Sequence, residues 1–232
     1  YWIHGGTSDL KNYYNSYNKL LISLTFDEIV ALHDDYAHSK TFFKKSIKSK
    51  CIDYMLFDRS MKLLQNIHII PNPIPQQIIC CSTDLSEREN VIITTGRLDP
   101  IKGYLYLIEA FKLAKPNLPG WKLKILGDGE QRFELESMVK SLDLEDDVLL
   151  PGAKVNVQLD LEKSKVFVSS SLEEGMPMSI IEAMGAGLAT ISTRTIGGEY
   201  LLENGKYGYL VPRENSASLA LGLIELCSNE QK

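Results

Sequence analysis

The chain has 232 residues, a formal net charge of −5, 44% hydrophobic and 24% charged residues. That length holds one large domain or two small ones, and the balance predicts a soluble globular protein, not a disordered tail, a collagen-like fibre or a disulfide-stapled miniprotein. The negative charge argues against nucleic acid as the partner, which needs a basic surface, and no apolar run approaches the ~18–20 residues that cross a bilayer.

The chain opens YWIHGG, with no initiator Met, no basic start and no apolar stretch of a secretion signal. A piece of a longer, cytoplasmic protein is therefore expected. Cys51 and Cys227 stand alone, and Cys80 and Cys81 are adjacent. Such spacing suits neither a zinc-binding pair nor an unstrained disulfide, so reduced thiols are expected.

In chain order, Tyr1 to Ile3 reads as the end of a strand, Asn12 to Leu24 as a helix and Ile29 to Leu32 as a strand. Ser39 to Ser49 reads as a basic helix and Ile67 to Ile70 as another strand. Up to Pro75 there are nine Lys+Arg against seven Asp+Glu, net +2; from Gln76 there are sixteen against twenty-three, net −7. The break falls at IIPNPIPQQ, where Pro71, Pro73 and Pro75 favour an extended connection. The spacing predicts a domain of residues 1–75, about half of an α/β unit, and a second of residues 76–232.

The second domain alternates strands and helices. Strands are expected at Val91 to Thr95, Trp121 to Leu126, Val148 to Leu150, Val166 to Ser169, Leu188 to Ser192 and Tyr209 to Val211. Helices are expected at Gly103 to Ala114, Arg132 to Leu142, Val155 to Leu161, Met178 to Met184 and Ala217 to Cys227. Short glycine-rich joints between them call for a parallel, doubly wound sheet, which binds ligands at the carboxyl ends of its strands.

Two familiar phosphate signatures are absent: there is no GxxxxGK[ST] loop, and Gly127-Asp128-Gly129 lacks the third glycine of GxGxxG. A tight turn is the favoured reading of that triplet. Two other segments say more. Gly96-Arg97-Leu98-Asp99-Pro100-Ile101-Lys102-Gly103 sets two cations five residues apart directly after a strand, which suits a diphosphate; solvent-facing cations are the alternative. In Ser171 to Met184, Pro177 stands where a helix should begin, so the N–H groups of Met178, Ser179 and Ile180 are expected to point out of the helix end. Glu174 precedes that end, Glu173 is expected to be solvated, and Glu182 lies inside the helix among Ile180, Ile181, Ala183 and Met184. A carboxylate in such company is desolvated unless a donor satisfies it.

GRLDPIKG, ILGDGEQR, SLEEGMPMSIIEAMGAGLATIST and GG…GYLV, in that order over residues 88 to 228, resemble the donor-binding half of a family 4 (group 1) retaining glycosyltransferase of the GT-B fold. The spacing from Glu174 to Glu182 matches that family's E-x7-E motif. The resemblance implies a complete Rossmann-like donor domain and part of a second, acceptor-side Rossmann-like domain. It implies that Arg97 and Lys102 clamp a donor diphosphate, that Glu174 holds hydroxyls of the transferred sugar and that Glu182 holds the ribose. Gly96, Gly127, Gly129, Gly152, Gly175, Met176, Pro177, Met178, Ser179 and Ile180 would complete the donor site, with Gly127 onward and Val148 to Gly152 flanking the base. Gly197-Gly198 would form a tight turn. WIHGG is similar to the strand end that carries a His near the reaction centre, here His4.

The implied reaction moves a sugar from a nucleoside diphosphate to an acceptor hydroxyl with retention, in surface polysaccharide or glycolipid synthesis. The donor is the substrate; no cofactor and no metal are implied, since no DxD occurs. Expected partners are the nucleotide sugar and a glycan or lipid-linked acceptor. The basic helix Lys44 to Lys50 offers a peripheral membrane contact at the cytoplasmic face, with a solvated face as the alternative. His33, Asp34, Asp35 and His38 match no helical face, so a solvated loop is preferred to a metal cluster. Two further readings stay open: a nucleotide-sugar binding fragment without turnover, and a GT-B relative such as a sugar epimerase or phosphorylase.

Overall fold

The computed structural model describes residues 87–228 and three short strands before them, Trp2–Ile3 (β1), Ile29–Ala31 (β2) and Ile67–Ile69 (β3). The chain divides into two units, Tyr1–Pro73 with Glu174–Met176, and Ile74–Glu173 with Pro177–Lys232. In the first unit the strands form a parallel sheet in the order β1-β2-β3, with Trp2 opposite Val30 and Val30 opposite His68. The helices expected at Asn12 to Leu24 and Ser39 to Ser49, and with them Lys44 to Lys50, His33, Asp34, Asp35 and His38, lie outside the described residues, as does His4.

The second unit is built on Glu89–Thr95 (β4), Lys122–Leu126 (β5), Val148–Gly152 (β6), Ser164–Ser169 (β7), Ala189–Thr193 (β8) and Tyr209–Val211 (β9). All pair in parallel, in the order β6-β5-β4-β7-β8-β9. The chain thus starts mid-sheet, works outward to one edge, then crosses back to build the other half. β4 and β7 lie side by side at that reversal, the place where such sheets open a crevice.

Both faces of the sheet are covered. Val91, Ile92, Ile93 and Thr94 are buried in succession, the mark of a strand with helices on either side. Ile92, Leu123, Ile125, Val166 and Val168 face one core with helices Tyr104–Ala114 (α1), Arg132–Ser141 (α2) and Ser216–Ser228 (α6). Val91, Ile93, Leu126 and Phe167 face the other, with Gln158–Lys163 (α3), Met178–Gly185 (α4) and the stretch around Leu202 that follows Ile196–Leu201 (α5). Arg88 is buried and ties the far end of this second face. Its guanidinium donates to the Ser164 carbonyl at 3.0 Å and to the Ala186 carbonyl at the C-terminus of α4 at 2.8 Å.

Two local expectations are corrected. The helix expected from Val155 begins at Gln158, because Val155 and Asn156 are exposed and Asn156 Oδ1 accepts the Gln158 N–H at 3.0 Å, a local turn that precedes the Val157 N-cap. Gly197-Gly198 is not a turn but the first turn of α5, where Thr195 Oγ1 accepts the Gly198 N–H at 3.1 Å. The glycine is required there by crowding: a Cβ on Gly198 would lie 2.7 Å from the Thr193 carbonyl oxygen and closer still to Ser192 Oγ. Among the described residues, no helix is long and apolar enough to cross a membrane.

Candidate functional site

The loop leaving β4 is shaped by its own residues. Asp99 accepts the Ile101 N–H at 3.1 Å and so caps a single 3₁₀ turn, Pro100–Lys102. The other Asp99 oxygen holds the exposed Arg97 guanidinium at 2.6 Å. Gly103 ends the turn in the left-handed region at φ 63°, and a Cβ there would lie 3.2 Å from the Ser170 carbonyl carbon and closer to its oxygen. The stem of the half-buried Lys102 folds back over Gly96: a Cβ on Gly96 would be 3.5 Å from Lys102 Cε and 2.8 Å from the Tyr104 hydroxyl.

The Gly127-Asp128-Gly129 stretch after β5 does more than turn the chain. It lies against the β4 loop, with Gly96 N–H to the Leu126 carbonyl at 2.9 Å, Leu98 N–H to the Asp128 carbonyl at 2.9 Å and Gln131 N–H to the Leu98 carbonyl at 3.1 Å. A Cβ on Gly127 would sit 2.9 Å from the Gly96 carbonyl carbon, and one on Gly129 2.9 Å from the Leu98 carbonyl carbon. The Gly127 N–H in turn donates to the Gly152 carbonyl at 3.1 Å, which carries the contact to the end of β6. Two side chainless positions thus let three strand ends close on one another.

Where these ends meet, a concavity of about 280 Å³ opens, lined by Thr95, Gly96, Arg97, Leu126, Gly127, Asp128, Ala153, Lys154 and Val157. Among the described residues its lining includes neither Lys102 nor Glu182. Lys154 was not singled out by sequence. Its ammonium sits on Asp160 at 2.8 Å, and Lys124 reaches the same carboxylate at 3.3 Å. Burial works to raise the Asp160 pKa, but the hydrogen bonds and charges of Lys154 and Lys124 outweigh it and hold the carboxyl below its ordinary value. Their separation in sequence, across Lys124, Lys154 and Asp160, left no local pattern to read.

At the reversal of strand order, β7 leads through Ser170 to α4. Pro177 is the N-cap, extended at φ −71° and ψ 107°, and no side chain caps the helix. The Ile180 N–H does not point outward as expected: it donates to the Pro177 carbonyl at 3.2 Å in a tight first turn, and the Ile180 side chain is fully buried. Met178 and Ser179 are left as the leading N–H groups without an intrahelical acceptor. Glu182 is half-buried, with Ile180, Ile181 and Ala183 buried around it, and burial raises its pKa above the ordinary value. Glu174, Gly175 and Met176 group with the first unit and are half-buried.

The topology therefore brings Gly96, Arg97, Lys102, Gly127, Gly129, Gly152 and the start of α4 with Pro177, Met178 and Ser179 to one edge of one sheet. Among the described residues, no group of three or more His, Cys, Asp or Glu could hold a metal ion. What the edge offers chemically is cationic and amide donors for an anion, with glycines that let it approach the backbone.

Comparison with known proteins gives this edge a family. The family described as Glycosyl transferases group 1 matches residues 81–232. An uncharacterized glycosyltransferase of Haemophilus influenzae is 29% identical over 215 residues, 92% of this chain and 55% of that protein. A Campylobacter jejuni N-acetylgalactosamine-N,N'-diacetylbacillosaminyl-diphospho-undecaprenol 4-alpha-N-acetylgalactosaminyltransferase is 28% identical over 224 residues, 96% of this chain and 58% of that protein. The chain spans about half the length of these curated relatives. Among solved structures, Anabaena Alr3699/HepE in complex with UDP matches with a TM-score of 0.78 at 19% identity, over 100% of this chain and 63% of that one. TarM of S. aureus, in a complex that includes UDP, matches with a TM-score of 0.71 at 22% identity, over 92% of this chain and 39% of that one. The fold is that of GT-B glycosyltransferases, and the chain belongs to the group 1 glycosyltransferases.

Proposed function

We propose that this chain carries the donor site of a family 4, retaining glycosyltransferase that moves a hexosyl group from a nucleoside-diphosphate sugar to a hydroxyl of a glycan or lipid-linked acceptor. The observation that carries this reading is the uncapped start of α4 at the strand-order reversal, beside the loop that bears Arg97 and Lys102. In this reading Lys102, Arg97 (released from Asp99) and the Met178 and Ser179 N–H groups take the diphosphate and the charge that grows as it leaves. Glu182 accepts from ribose hydroxyls and Glu174 from the sugar, and the family resemblance assigns His4 a role in the reaction. Neither carboxylate is assigned as a covalent nucleophile, and displacement on one face through an oxocarbenium-like state is preferred. With this much fixed positive charge, the proposal needs no metal. Gly96 and Gly127 line the concavity beside the loop as the base site, Gly129 and Gly152 hold the adjoining strand ends together, and Gly175 to Pro177 pass close to the sugar.

Relatives named for diphospho-undecaprenol acceptors and for colanic acid biosynthesis support a role in surface polysaccharide or glycolipid synthesis at the cytoplasmic face, with the Lys44 to Lys50 segment toward anionic lipid. Solved GT-B neighbours in complex with UDP, UDP-glucose or UDP and GlcNAc support a nucleotide-sugar donor. The test is thermal shift of the chain with UDP-, GDP- and ADP-sugars. At least one should stabilise it, and Lys102→Ala should weaken that ligand by about tenfold or more, the worth of one charge-assisted hydrogen bond. No shift with any of them would overturn the reading. Binding without hydrolysis or transfer would favour a binding module, whereas dependence on free phosphate or a pyridoxal absorbance would point to a phosphorylase.

A further inference from the structure

The segment from Ser170 to Pro177 contains no regular secondary structure, yet its first half is tied on every side. Buried Ser170 donates its hydroxyl to the Lys102 carbonyl at 2.8 Å. Buried Thr193, at the end of β8, donates to the Ser171 carbonyl at 2.5 Å. The Leu172 N–H donates to the Ile101 carbonyl at 2.7 Å. The Leu172 carbonyl takes the last tie: Arg213, just after β9, donates Nη1 to it at 3.0 Å across 41 residues. Both backbone polar groups of Leu172 are thereby held, one by the loop that carries Lys102 and one by a guanidinium from the far side of the sheet.

Three of these four ties come from buried side chains or from backbone, so they belong to the packing of the unit. The fourth does not. Arg213 is exposed, it lies in no core cluster, and it reaches a backbone carbonyl when water is available to it. A long side chain gives up rotamer freedom to hold one geometry, and an exposed contact of this kind adds little to stability. What it does fix is the peptide plane between Leu172 and Glu173, two residues before Glu174. Past Glu174 comes Gly175, which has no side chain to restrict the chain.

We propose that Arg213 is a positioning residue for the acidic loop: by holding the Leu172 carbonyl it sets the direction in which the chain runs on to Glu174, and so tunes the grip on the donor's sugar rather than on its nucleotide. The inference rests on the nucleotide-sugar reading given above. It predicts a split that a merely structural role does not produce. Arg213→Ala should leave affinity for the nucleoside diphosphate within about twofold and weaken the corresponding nucleotide sugar by about tenfold, with little change in Tm. Arg213→Lys, which can still donate one hydrogen bond to the same carbonyl, should recover most of that loss.

The experiment is calorimetric titration of the chain and both variants with UDP, GDP and ADP and with UDP-, GDP- and ADP-glucose, alongside thermal melts. Equal weakening of diphosphate and sugar nucleotide would overturn the proposal, because Arg213 would then be acting on the phosphate or on the fold. Unchanged affinity for both would overturn it as well, as would a Lys variant no better than Ala. If the parent chain binds none of the six ligands, the donor-site reading itself fails, which is a different result from an Arg213→Ala variant that binds all of them like the parent.

Discussion

Replacing Gly127 with alanine puts a methyl group where the β4 and β5 loops touch. The new Cβ would stand 2.9 Å from the Gly96 carbonyl carbon and nearer still to its oxygen. Non-bonded carbons settle at about 3.5–4.0 Å, and the nearer carbonyl oxygen is the tighter obstacle, so the loops must part by more than roughly 1 Å. Neither side can yield locally, since the obstacle is backbone and three hydrogen bonds of 2.9–3.1 Å zip the two loops together. Overpacking of this kind costs about 1–3 kcal/mol, less the few tenths that a Gly→Ala change returns through the unfolded chain. For a chain of this size that lowers Tm by roughly 2–10 °C. The loop that moves carries Arg97 and Lys102, so on the proposed donor reading at least one charge-assisted contact to the diphosphate should be lost, worth about 1.5–3 kcal/mol or roughly ten- to a hundredfold in Kd. Thermal melts and nucleotide titrations measure both effects. Gly120→Ala is the control: no atom lies within 4 Å of its Cβ and its φ is +79°, so it should lose stability through backbone strain while binding nucleotide normally. A Gly127→Ala chain with the parent's Tm and the parent's affinity would refute the argument that these glycines are there for contact between loops.

Two further expectations concern charge. Burial raises the Glu182 pKa, so the folded protein holds that proton more tightly than the unfolded chain does. The resulting penalty is fully present above the folded pKa and vanishes as pH falls below the unfolded value, near 4.5. Glu182→Gln should therefore gain stability relative to the parent at pH 7–8, with the gain shrinking toward pH 4 in urea melts, while its affinity for nucleotide sugar falls. At the opposite edge of the sheet, Arg88→Ala leaves the Ser164 and Ala186 carbonyls buried without their donor and should cost about 2–4 kcal/mol in chemical denaturation, with nucleotide affinity unchanged in the folded fraction.

Much of the architecture follows from local pattern. Runs such as Val91 to Thr95 and Trp121 to Leu126 are apolar and β-branched or flanked by turn residues, and each emerged as a strand within two residues of the expected ends. Tyr209–Val211 and the start of α4 at Met178 fell where the spacing put them. The strand–helix rhythm was enough to imply a parallel sheet with two covered faces, because short joints between such elements allow little else. The loop that bears Arg97 and Lys102 and the E-x7-E spacing were equally visible, since each is contiguous or one short segment long.

Tertiary structure decided what depends on atoms brought together from distant positions. The strand order β6-β5-β4-β7-β8-β9, and with it the place where the crevice opens, is a matter of which backbone pairs with which, and no local signal encodes it. The glycines at 127 and 129 looked like turn residues and proved to be points of contact with a loop some thirty residues earlier. Gly198 looked like a turn and serves a helix start crowded by Thr193. Ile180 looked like an open N–H until the first turn tightened onto Pro177. The Lys154–Asp160–Lys124 cluster and the Arg213 tie to Leu172 join residues up to 41 positions apart through single side chains. Periodicity reports which face of an element is apolar; it carries no information about which partner that element will meet, and charge pairs and loop contacts are settled only there.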